Sequence, residues 1–250
     1  MTTLYLAWSS GCVSTLEKHY DDDPVNVLVA YPELKSFMKN RDKMNIDKWV
    51  LDSGAFGAYN SGKVIDLDDY IQVCKDLEGD VHEIFGLDVI HDAEGTRVNL
   101  EKMWKAGVPA IPAYHQGSPE WALEWAHKNA PTNKIGVGGV ARWGKDRVNW
   151  VKQIFARIWP CKVHGFGLTS GPMLKAVPFH SCDAVSWTYG PAWGVWAGYG
   201  QNTKHEHVGA QVTSNTDYWG EVLAYRKREN YAKFRWRREM KLLEELQVVK

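Results

Sequence analysis

Acidic and amide side chains follow short apolar runs at several places in this sequence. Asp52 and Ser53 come directly after "WVL", Asp88 lies within "FGLDV", and Gln116 follows His115 in "AYHQ". A carboxylate inside a core strand would carry a large desolvation cost, so these positions favour strand ends that open on a shared pocket. Two carboxylates in one pocket suit displacement at an anomeric carbon, with one as nucleophile and the other as proton carrier.

Further polar and glycine positions fit the same pocket. Gly138 and Gly139 end another apolar run, with Arg142 just beyond them, and Asp183 is expected at the start of the last strand or just before it. Each position has a simpler interpretation, since "DSG" is often only a turn and "GG" often only permits close packing. Their recurrence in successive units favours a pocket for a planar heterocycle with hydrogen-bonding edges.

The elements that would position these residues alternate between β-branched apolar runs and helical patterns. This alternation is typical of parallel strands joined by crossover helices and predicts a compact TIM-type (β/α)8 barrel, with a doubly wound open sheet as the alternative. The predicted strands are Leu4–Trp8, Val25–Tyr31, Trp49–Asp52, Ile84–Val89, Ala110–Gln116, Ile135–Val140, Val163–Leu168 and Ala184–Thr188. We expect the barrel to occupy residues 1–200 and a C-terminal helical extension to occupy residues 201–250.

Composition narrows the class of protein. The 250 residues are 44% apolar, and 30 basic side chains balance 30 acidic ones, so any nucleic-acid binding must come from a local cluster of charge. No apolar run approaches the length of a membrane span, and the four cysteines lack zinc-ligand spacing. These features predict a cytoplasmic protein that needs no metal or cofactor and has no membrane partner.

A strongly basic segment, "RKRENYAKFRWRREMK", begins at Arg226. It carries eight basic residues against two acidic ones, interleaved with aromatic residues, and a helix is expected there. One interpretation is a solvated helix packed on the barrel through its aromatic face, and the other is a contact with a phosphate backbone. The candidate nucleic-acid contacts are Arg142, Arg226, Arg228, Lys233, Arg235, Arg237 and Arg238.

Six strings in series resemble one enzyme family. "LDSGAF" is similar to the Asp-Ser-Gly-Gly-Phe motif of the tRNA-guanine transglycosylases, which are TIM-barrel enzymes that exchange a guanine for a 7-deazaguanine without breaking the strand. The other strings look more like the DpdA branch, phage and bacterial relatives that place 7-deazaguanines in DNA. They are "FGLDVIHD", "IPAYHQG", "IGVGGVAR", "VHGFGLTS" and "HSCDAVSW". The likeness runs from about Leu4 to Trp187.

The resemblance implies a role for each matching residue. Asp183 matches the nucleophile that holds the sugar covalently, and Asp52 matches the aspartate that moves a proton on and off the base nitrogen. The other substrate-binding candidates read the base edge, face its carbonyl oxygen, line the pocket or stack on the base. They are Ser53, Asp88, His115, Gln116, Gly138, Gly139 and Trp187, with Trp193 as an alternative to Trp187 for the stack.

Two departures from the tRNA enzymes matter. The motif reads Gly54-Ala55 where those enzymes have two glycines, and no cysteine-rich zinc subdomain follows Asp183. DNA is therefore the expected polymer and tRNA the alternative, with free 7-deazaguanine, in its 7-cyano form, as the second substrate. Such a glycosyltransferase would act in the host cytoplasm if it is of phage origin, and a homodimer is possible.

Other classes of function remain open on the sequence alone. A nucleoside or glycoside hydrolase would use the same carboxylates with water, and a barrel that only binds nucleic acid would need neither Asp52 nor Asp183. A metal-dependent hydrolase built on His91, Asp92 and His115 is the most distant alternative, since their spacing matches no ligand set.

Overall fold

The structure is a computed structural model, and it describes residues 2–140, 146–188 and 218–248. Within these residues, eight parallel strands form a single sheet in the order β4-β3-β2-β1-β8-β7-β6-β5. The strands are β1 (Thr3–Ala7), β2 (Val25–Ala30), β3 (Ile46–Asp52), β4 (Glu83–Ile84), β5 (Ala113–His115), β6 (Lys134–Gly138), β7 (Lys162–Gly165) and β8 (Ser181–Ala184).

The two strands at the ends of this order are joined just outside their regular parts. Phe85 forms a parallel bridge with Ile111, the amide of Gly86 donates to the carbonyl of Ile111 at 2.9 Å, and the amide of Ile111 donates to the carbonyl of Ile84 at 2.8 Å. The sheet therefore closes on itself. This confirms the predicted (β/α)8 barrel and argues against the open, doubly wound sheet.

Helices connect successive strands and cover the outside of the barrel. They are α1 (Val13–Lys18), α2 (Leu34–Asn40), α3 (Ala55–Asn60), α4 (Leu67–Asp76), α5 (Ala93–Lys105), α6 (Glu120–Asn129), α7 (Arg147–Ile158), α8 (Gly171–Ala176) and α9 (Trp219–Val248). The sequence explains where several of them begin. Asp66 accepts a hydrogen bond from the amide of Asp69 at 2.9 Å, which is the N-cap expected of an aspartate before a helix.

The barrel interior has its own apolar layer, separate from the core between strands and helices. Tyr5, Leu28, Val50, Phe85 and Ile111 come from five different strands or strand extensions and pack together as one buried cluster. Since side chains alternate along a strand, residues two positions further along β3 and β1 point to the same interior. Asp52 is therefore directed into the carboxyl end of the barrel, two residues beyond Val50.

Helix α9 packs on β1 and α8 and so occupies the place of the last crossover helix. Val222, Tyr225 and Ala232 are buried, and the indole Nε1 of Trp236 donates to the carbonyl of Leu174 at 2.8 Å. The amide of Leu4 in β1 donates to Glu229 at 3.2 Å. The expected boundary at residue 200 lies outside the described residues, but the described part of this helix belongs to the barrel wall.

One predicted strand is wrong. The sequence placed the last strand at 184–188, whereas β8 spans Ser181–Ala184. The tetrapeptide "SCDA" pairs with β1, with Tyr5 opposite Asp183, and all four of its residues are buried. Asp183 therefore lies near the carboxyl end of β8, not at or before its start, and this places it at the same end of the barrel as Asp52.

Candidate active site

Asp52 is the last residue of β3, and a tight turn follows it. The amide of Gly54 donates to Oδ2 of Asp52 at 2.9 Å, and Gly54 has a φ of 72°. A β-carbon at Gly54 would lie 2.7 Å from Cδ of Pro32, so both the backbone conformation and the space require glycine. The "DSG" segment is thus a turn, as the simpler interpretation holds, and the turn also fixes a carboxylate at the barrel mouth.

Asp88 and His115 form a hydrogen-bonded pair at the same end. Nε2 of His115, the last residue of β5, lies 2.8 Å from Oδ2 of Asp88. The other oxygen of Asp88, Oδ1, is buried and has no hydrogen-bond partner among the described residues. Burial alone would lower the pKa of His115, but its hydrogen bond to Asp88 and the charges of Asp88 and Asp52 outweigh burial and raise that pKa.

Only one carboxylate oxygen of Asp183 contacts polar groups of other described residues. Its Oδ1 accepts a hydrogen bond from the amide of Gly167 at 2.9 Å and lies 3.4 Å from Nε2 of His164. Both contacts use the same oxygen, so Oδ2 is not engaged by a hydrogen bond among the described residues. The side chain is 10% exposed, which leaves the carboxylate reachable while it is largely desolvated.

The two other carboxylates act on Asp52. Burial is the main reason that the pKa of Asp52 rises from 3.8 to about 7, and the charges of Asp88 and Asp183 raise it further. The amide of Gly54 and the charge of His115 oppose this shift without cancelling it. A pKa near neutrality suits a group that both gives and takes a proton.

The other predicted pocket residues occupy neighbouring places. A β-carbon at Gly138 would lie 3.0 Å from Nδ1 of His115, and the amide of Gln116 donates to the carbonyl of Gly138 at 3.1 Å. Gly139 has a φ of 79° and follows directly after β6. Ser53 is buried, and its Oγ accepts from the amide of Ala55 at 3.4 Å, so it supports the turn.

Of the two aromatic candidates for stacking, the structure describes only Trp187. Trp187 has no exposed surface; its Nε1 donates to the carbonyl of Ala7 at 2.8 Å, and its ring packs edge-on to Tyr218. This corrects the expectation that Trp187 stacks on a base, because no face of its ring is free. Trp193 lies outside the described residues, as does Arg142.

Two of the basic residues of α9, Arg226 and Arg235, contact the barrel itself. Arg226 donates to the carbonyl of Pro24 at 3.1 Å and approaches Asp23, which precedes β2. Arg235 donates to the carbonyl of Lys175, at the end of α8 that leads to β8. Both contacts are at the amino end of the barrel, opposite the carboxylates, so the placement of these two arginines does not favour contact with a polymer bound at the mouth.

The remaining basic candidates on this helix have varied surroundings. The guanidinium of Arg228 lies over the ring of Tyr225, and Lys233 pairs with Glu229 at 2.9 Å. Arg237 is exposed, and Arg238 is within α9. Their role in nucleic-acid binding stays a prediction.

His91 and Asp92, which the sequence offered as metal ligands, make other contacts. Asp92 caps α5 by accepting from the amide of Gly95 at 2.9 Å, and the ring of His91 contacts Tyr59. In the part of the chain that the structure describes, no group of three or more His, Cys, Asp or Glu side chains is placed to hold a metal. No described helix is long and apolar enough to cross a membrane.

Sequence reasoning missed His164 and Phe166. His164 is fully buried beside Asp183, and a β-carbon at Gly136 would lie 2.4 Å from the ring of Phe166, so that ring fills the space above a glycine on β6. The available signal was His164 in "KVHGF", a polar residue in the buried part of a strand in which only Lys162 is exposed. Such a residue needs a buried partner, and Ser181 provides one at 2.9 Å from Nδ1, with Asp183 next to Nε2.

The fold and these groups define a (β/α)8-barrel protein with a carboxylate-rich mouth. The sequence matches no known protein-family profile and no curated protein. Two solved structures are similar to the chain, each with 8% sequence identity. One is a protein from Aquifex aeolicus VF5, with a TM-score of 0.46 over 93% of this chain and 90% of that one. The other is the YdjI aldolase from Escherichia coli K12, with a TM-score of 0.39 over 92% of this chain and 88% of that one.

Proposed function

We propose that this protein is a base-exchange transglycosylase that replaces guanine in DNA with a 7-deazaguanine through a covalent aspartyl-sugar intermediate. The observation that carries the proposal is the convergence of Asp52, Asp88 and Asp183 at the barrel mouth, with the pKa of Asp52 raised to about 7. The resemblance of six sequence strings to the transglycosylases supports the same roles.

In the first half-reaction, Oδ2 of Asp183 attacks C1′ of a deoxyguanosine turned out of the duplex. The bond between C1′ and the base nitrogen breaks, and its electron pair stays on that nitrogen. The protonated form of Asp52 supplies the proton, so neutral guanine leaves and Asp52 becomes a carboxylate. The sugar is then joined to Asp183 as an ester.

In the second half-reaction, the incoming 7-deazaguanine gives its ring proton to Asp52 and attacks C1′ through the same nitrogen. The ester bond to Asp183 breaks, and its electron pair restores the carboxylate. Both aspartates return to their starting states, so no net proton, electron or nucleotide energy is consumed. A pKa near 7 lets Asp52 serve in both directions at neutral pH.

Recognition of the base would use the rest of the mouth. Oδ1 of Asp88 is a buried acceptor without a partner among the described residues, and donors on the edge of a guanine would satisfy it. His115 holds the other oxygen of Asp88 and so fixes the direction in which Oδ1 points. Gln116 and Gly138 are adjacent on the neighbouring strands.

DNA is the favoured polymer because the tRNA enzymes use a cysteine-rich zinc subdomain to help bind tRNA. The four cysteines of this chain are all buried and unpaired at separate places in the barrel, so they do not assemble such a site. Transfer RNA remains the alternative substrate, and the experiment below distinguishes the two.

The test is to incubate the protein with duplex DNA that contains labelled guanine, with and without 7-cyano-7-deazaguanine, and to analyse digested nucleosides by mass spectrometry. Incorporation with one guanine released per base inserted is expected. Asp183→Asn should abolish both, whereas Asp92→Asn, which keeps the cap of α5, should leave them unchanged.

Other outcomes would identify other functions. Guanine release without incorporation would identify a hydrolase, and exchange on tRNA but not on DNA would show that tRNA is the polymer substrate. Binding that survives Asp52→Asn/Asp183→Asn, without turnover by the unmodified protein, would identify a binding module.

A further inference from the structure

His164 lies in the barrel interior on β7 and has no exposed surface. Its ring contacts Tyr5, Phe85 and Phe166, with ring centroids 6.4, 4.7 and 4.7 Å away. Three aromatic neighbours on different strands fix the plane of the imidazole. Its chemical role therefore depends on what its two nitrogen atoms face.

The two nitrogens face two side chains of β8. Nδ1 lies 2.9 Å from Oγ of Ser181, and Nε2 lies 3.4 Å from Oδ1 of Asp183. The second distance is longer than an ordinary N–H···O hydrogen bond, and Nε2 has no other partner among the described residues. A buried nitrogen without a partner is costly, so a shift of a few tenths of an ångström that closes this contact would be favourable.

The surroundings select one form of the ring. Burial lowers the pKa of His164, although its contact with Asp183 acts in the opposite direction, so the imidazole is neutral near pH 7. A neutral ring has one donor and one acceptor. If the proton were on Nδ1, the lone pair of Nε2 would face the Asp183 carboxylate. The favourable form has the proton on Nε2, with the hydroxyl of Ser181 donating to Nδ1.

We propose that His164 is a positioning residue for Asp183: held by Ser181 as the Nε2–H tautomer, it donates to Oδ1 and leaves Oδ2 as the oxygen that attacks the sugar. The inference rests on the nucleophilic role proposed for Asp183. His164 itself touches neither the sugar nor the base in this scheme and transfers no proton.

The geometry explains how this contact would act in both half-reactions. When Oδ2 bonds to C1′, Oδ1 becomes the carbonyl oxygen of the ester. When the ester breaks, negative charge returns to the carboxylate, and donors on Oδ1 stabilise it. The amide of Gly167 already provides one donor at 2.9 Å, and Nε2–H of His164 provides the second.

Other titratable groups face this pair from several strands. Asp52 on β3 interacts electrostatically with Asp183, and the thiol of Cys182, next to Asp183, is kept neutral because burial raises its pKa. Lys134 on β6 and Glu83 on β4 act on His164 in opposite directions. Since Lys134 and Glu83 are themselves paired, their effects on the ring oppose each other and the neutral form is retained.

The first part of the test compares His164→Gln with His164→Met. The amide nitrogen of glutamine restores a donor near the place of Nε2, whereas methionine fills a similar volume without one. We expect His164→Met to lower kcat of guanine exchange about 10- to 100-fold, with KM changed by less than about 3-fold, and His164→Gln to recover most of the rate. Thermal unfolding of both variants checks that they are folded.

The second part does not depend on activity. Imidazole 15N chemical shifts of the unmodified protein should show His164 as the neutral Nε2–H tautomer at pH 7. The carboxyl 13C signal of Asp183, assigned by its loss in Asp183→Asn, should titrate at a higher pH in His164→Met than in His164→Gln, because a donor to the carboxylate has been removed. A general packing defect would not raise this titration point in only one variant.

The outcomes separate the two proposals. Exchange by the unmodified protein with equal rates and equal Asp183 titration in both His164 variants would overturn the positioning role alone. An Nδ1–H tautomer or an imidazolium would also overturn it. No exchange by the unmodified protein on DNA or tRNA would overturn the proposed function and the catalytic meaning of the contact together, even if the Nε2–H tautomer were observed.

Discussion

The two ends of the barrel interior differ in whether their buried acidic side chains are paired with basic ones. At the amino end, Lys134 on β6 reaches across to Glu83 on β4, and Nζ and Oε2 are 2.5 Å apart. At the carboxyl end, Asp88 and Asp183 lie close enough to Asp52 to raise its pKa, and none of the three pairs with a lysine or arginine among the described residues. One end balances its charges, and the other keeps an excess of carboxylates.

This difference separates a structural end from a reactive one. A charge that is paired where it is buried contributes to the packing of the barrel. At the carboxyl end the pKa of Asp52 is raised, which is typical of a reactive site. Oδ1 of Asp88 is buried at the carboxyl end without a hydrogen-bond partner among the described residues. A substrate that supplies donors there would complete the site.

The largest expected effect is at the carboxyl end. Asp183→Asn removes the proposed nucleophile, so base exchange should fall by about 10⁴-fold or more, measured as incorporation of 7-cyano-7-deazaguanine into DNA. The folded state should be no less stable than that of the unmodified protein, because one of three neighbouring negative charges is removed. Exchange at more than a tenth of the normal rate would show that another group attacks the sugar.

The matching change at the amino end should act on stability. Lys134→Met leaves Glu83 without its partner and should lower the free energy of unfolding by about 3–5 kcal/mol, measured by urea denaturation. Lys162→Met, at the exposed first position of β7, is the control and should change stability by about 0.5 kcal/mol or less. Partial recovery in Lys134→Met/Glu83→Leu would show that the unpaired charge causes the loss, and no recovery would contradict this.

The raised pKa of Asp52 predicts that the free energy of unfolding depends on pH. Its folded-state pKa of about 7 exceeds the ordinary value of 3.8, so the folded protein holds this proton more tightly than the unfolded chain. The resulting stabilisation is complete below about pH 4 and is lost as pH rises to about 7, by at most about 1.4 kcal/mol per pH unit.

Asp52→Asn should remove this slope and become stabilising, relative to the unmodified protein, as pH increases towards 8. Chemical denaturation at a series of pH values measures it, with Asp92→Asn as the control. Parallel curves for Asp52→Asn and the unmodified protein would mean that Asp52 ionises normally. The same variant should lower base exchange about 10²- to 10⁴-fold, because the proton carrier is lost.

The smallest effect is expected on the outer wall. Arg226→Ala removes contacts with the segment before β2 and should cost about 1 kcal/mol or less. Because this contact is at the amino end, DNA affinity and its dependence on salt concentration should change little. A clear loss of affinity with a shallower salt dependence would show instead that the polymer lies along α9 and that this arginine contacts its phosphates.

The sequence was sufficient for the barrel and for the residues that follow its strands. Alternating β-branched runs and helix caps such as Asp66 reflect local rules, and these rules located most strands to within a few residues. The placement of Asp52 and His115 at strand ends followed from the same pattern.

Contacts between segments that are distant in the sequence could not be predicted from these local patterns. The apolar run "AVSWT" looked like a strand, but its tryptophan is buried against Ala7 and Tyr218, and the strand is the more polar "SCDA" before it. His164 acquires its significance only when β7 pairs with β8 and brings it next to Asp183. The contacts of Arg226 with Asp23 and Pro24 likewise depend on where α9 packs.

The most direct test of the central claim is to look for the covalent intermediate. Duplex DNA is incubated with the protein in the absence of an incoming base, the mixture is denatured, and any protein–DNA adduct is digested and mapped by mass spectrometry. The account predicts an adduct on the peptide that contains Asp183, absent in Asp183→Asn and discharged when 7-cyano-7-deazaguanine is added before denaturation. Base exchange without such an adduct, or an adduct that persists in Asp183→Asn, would contradict it.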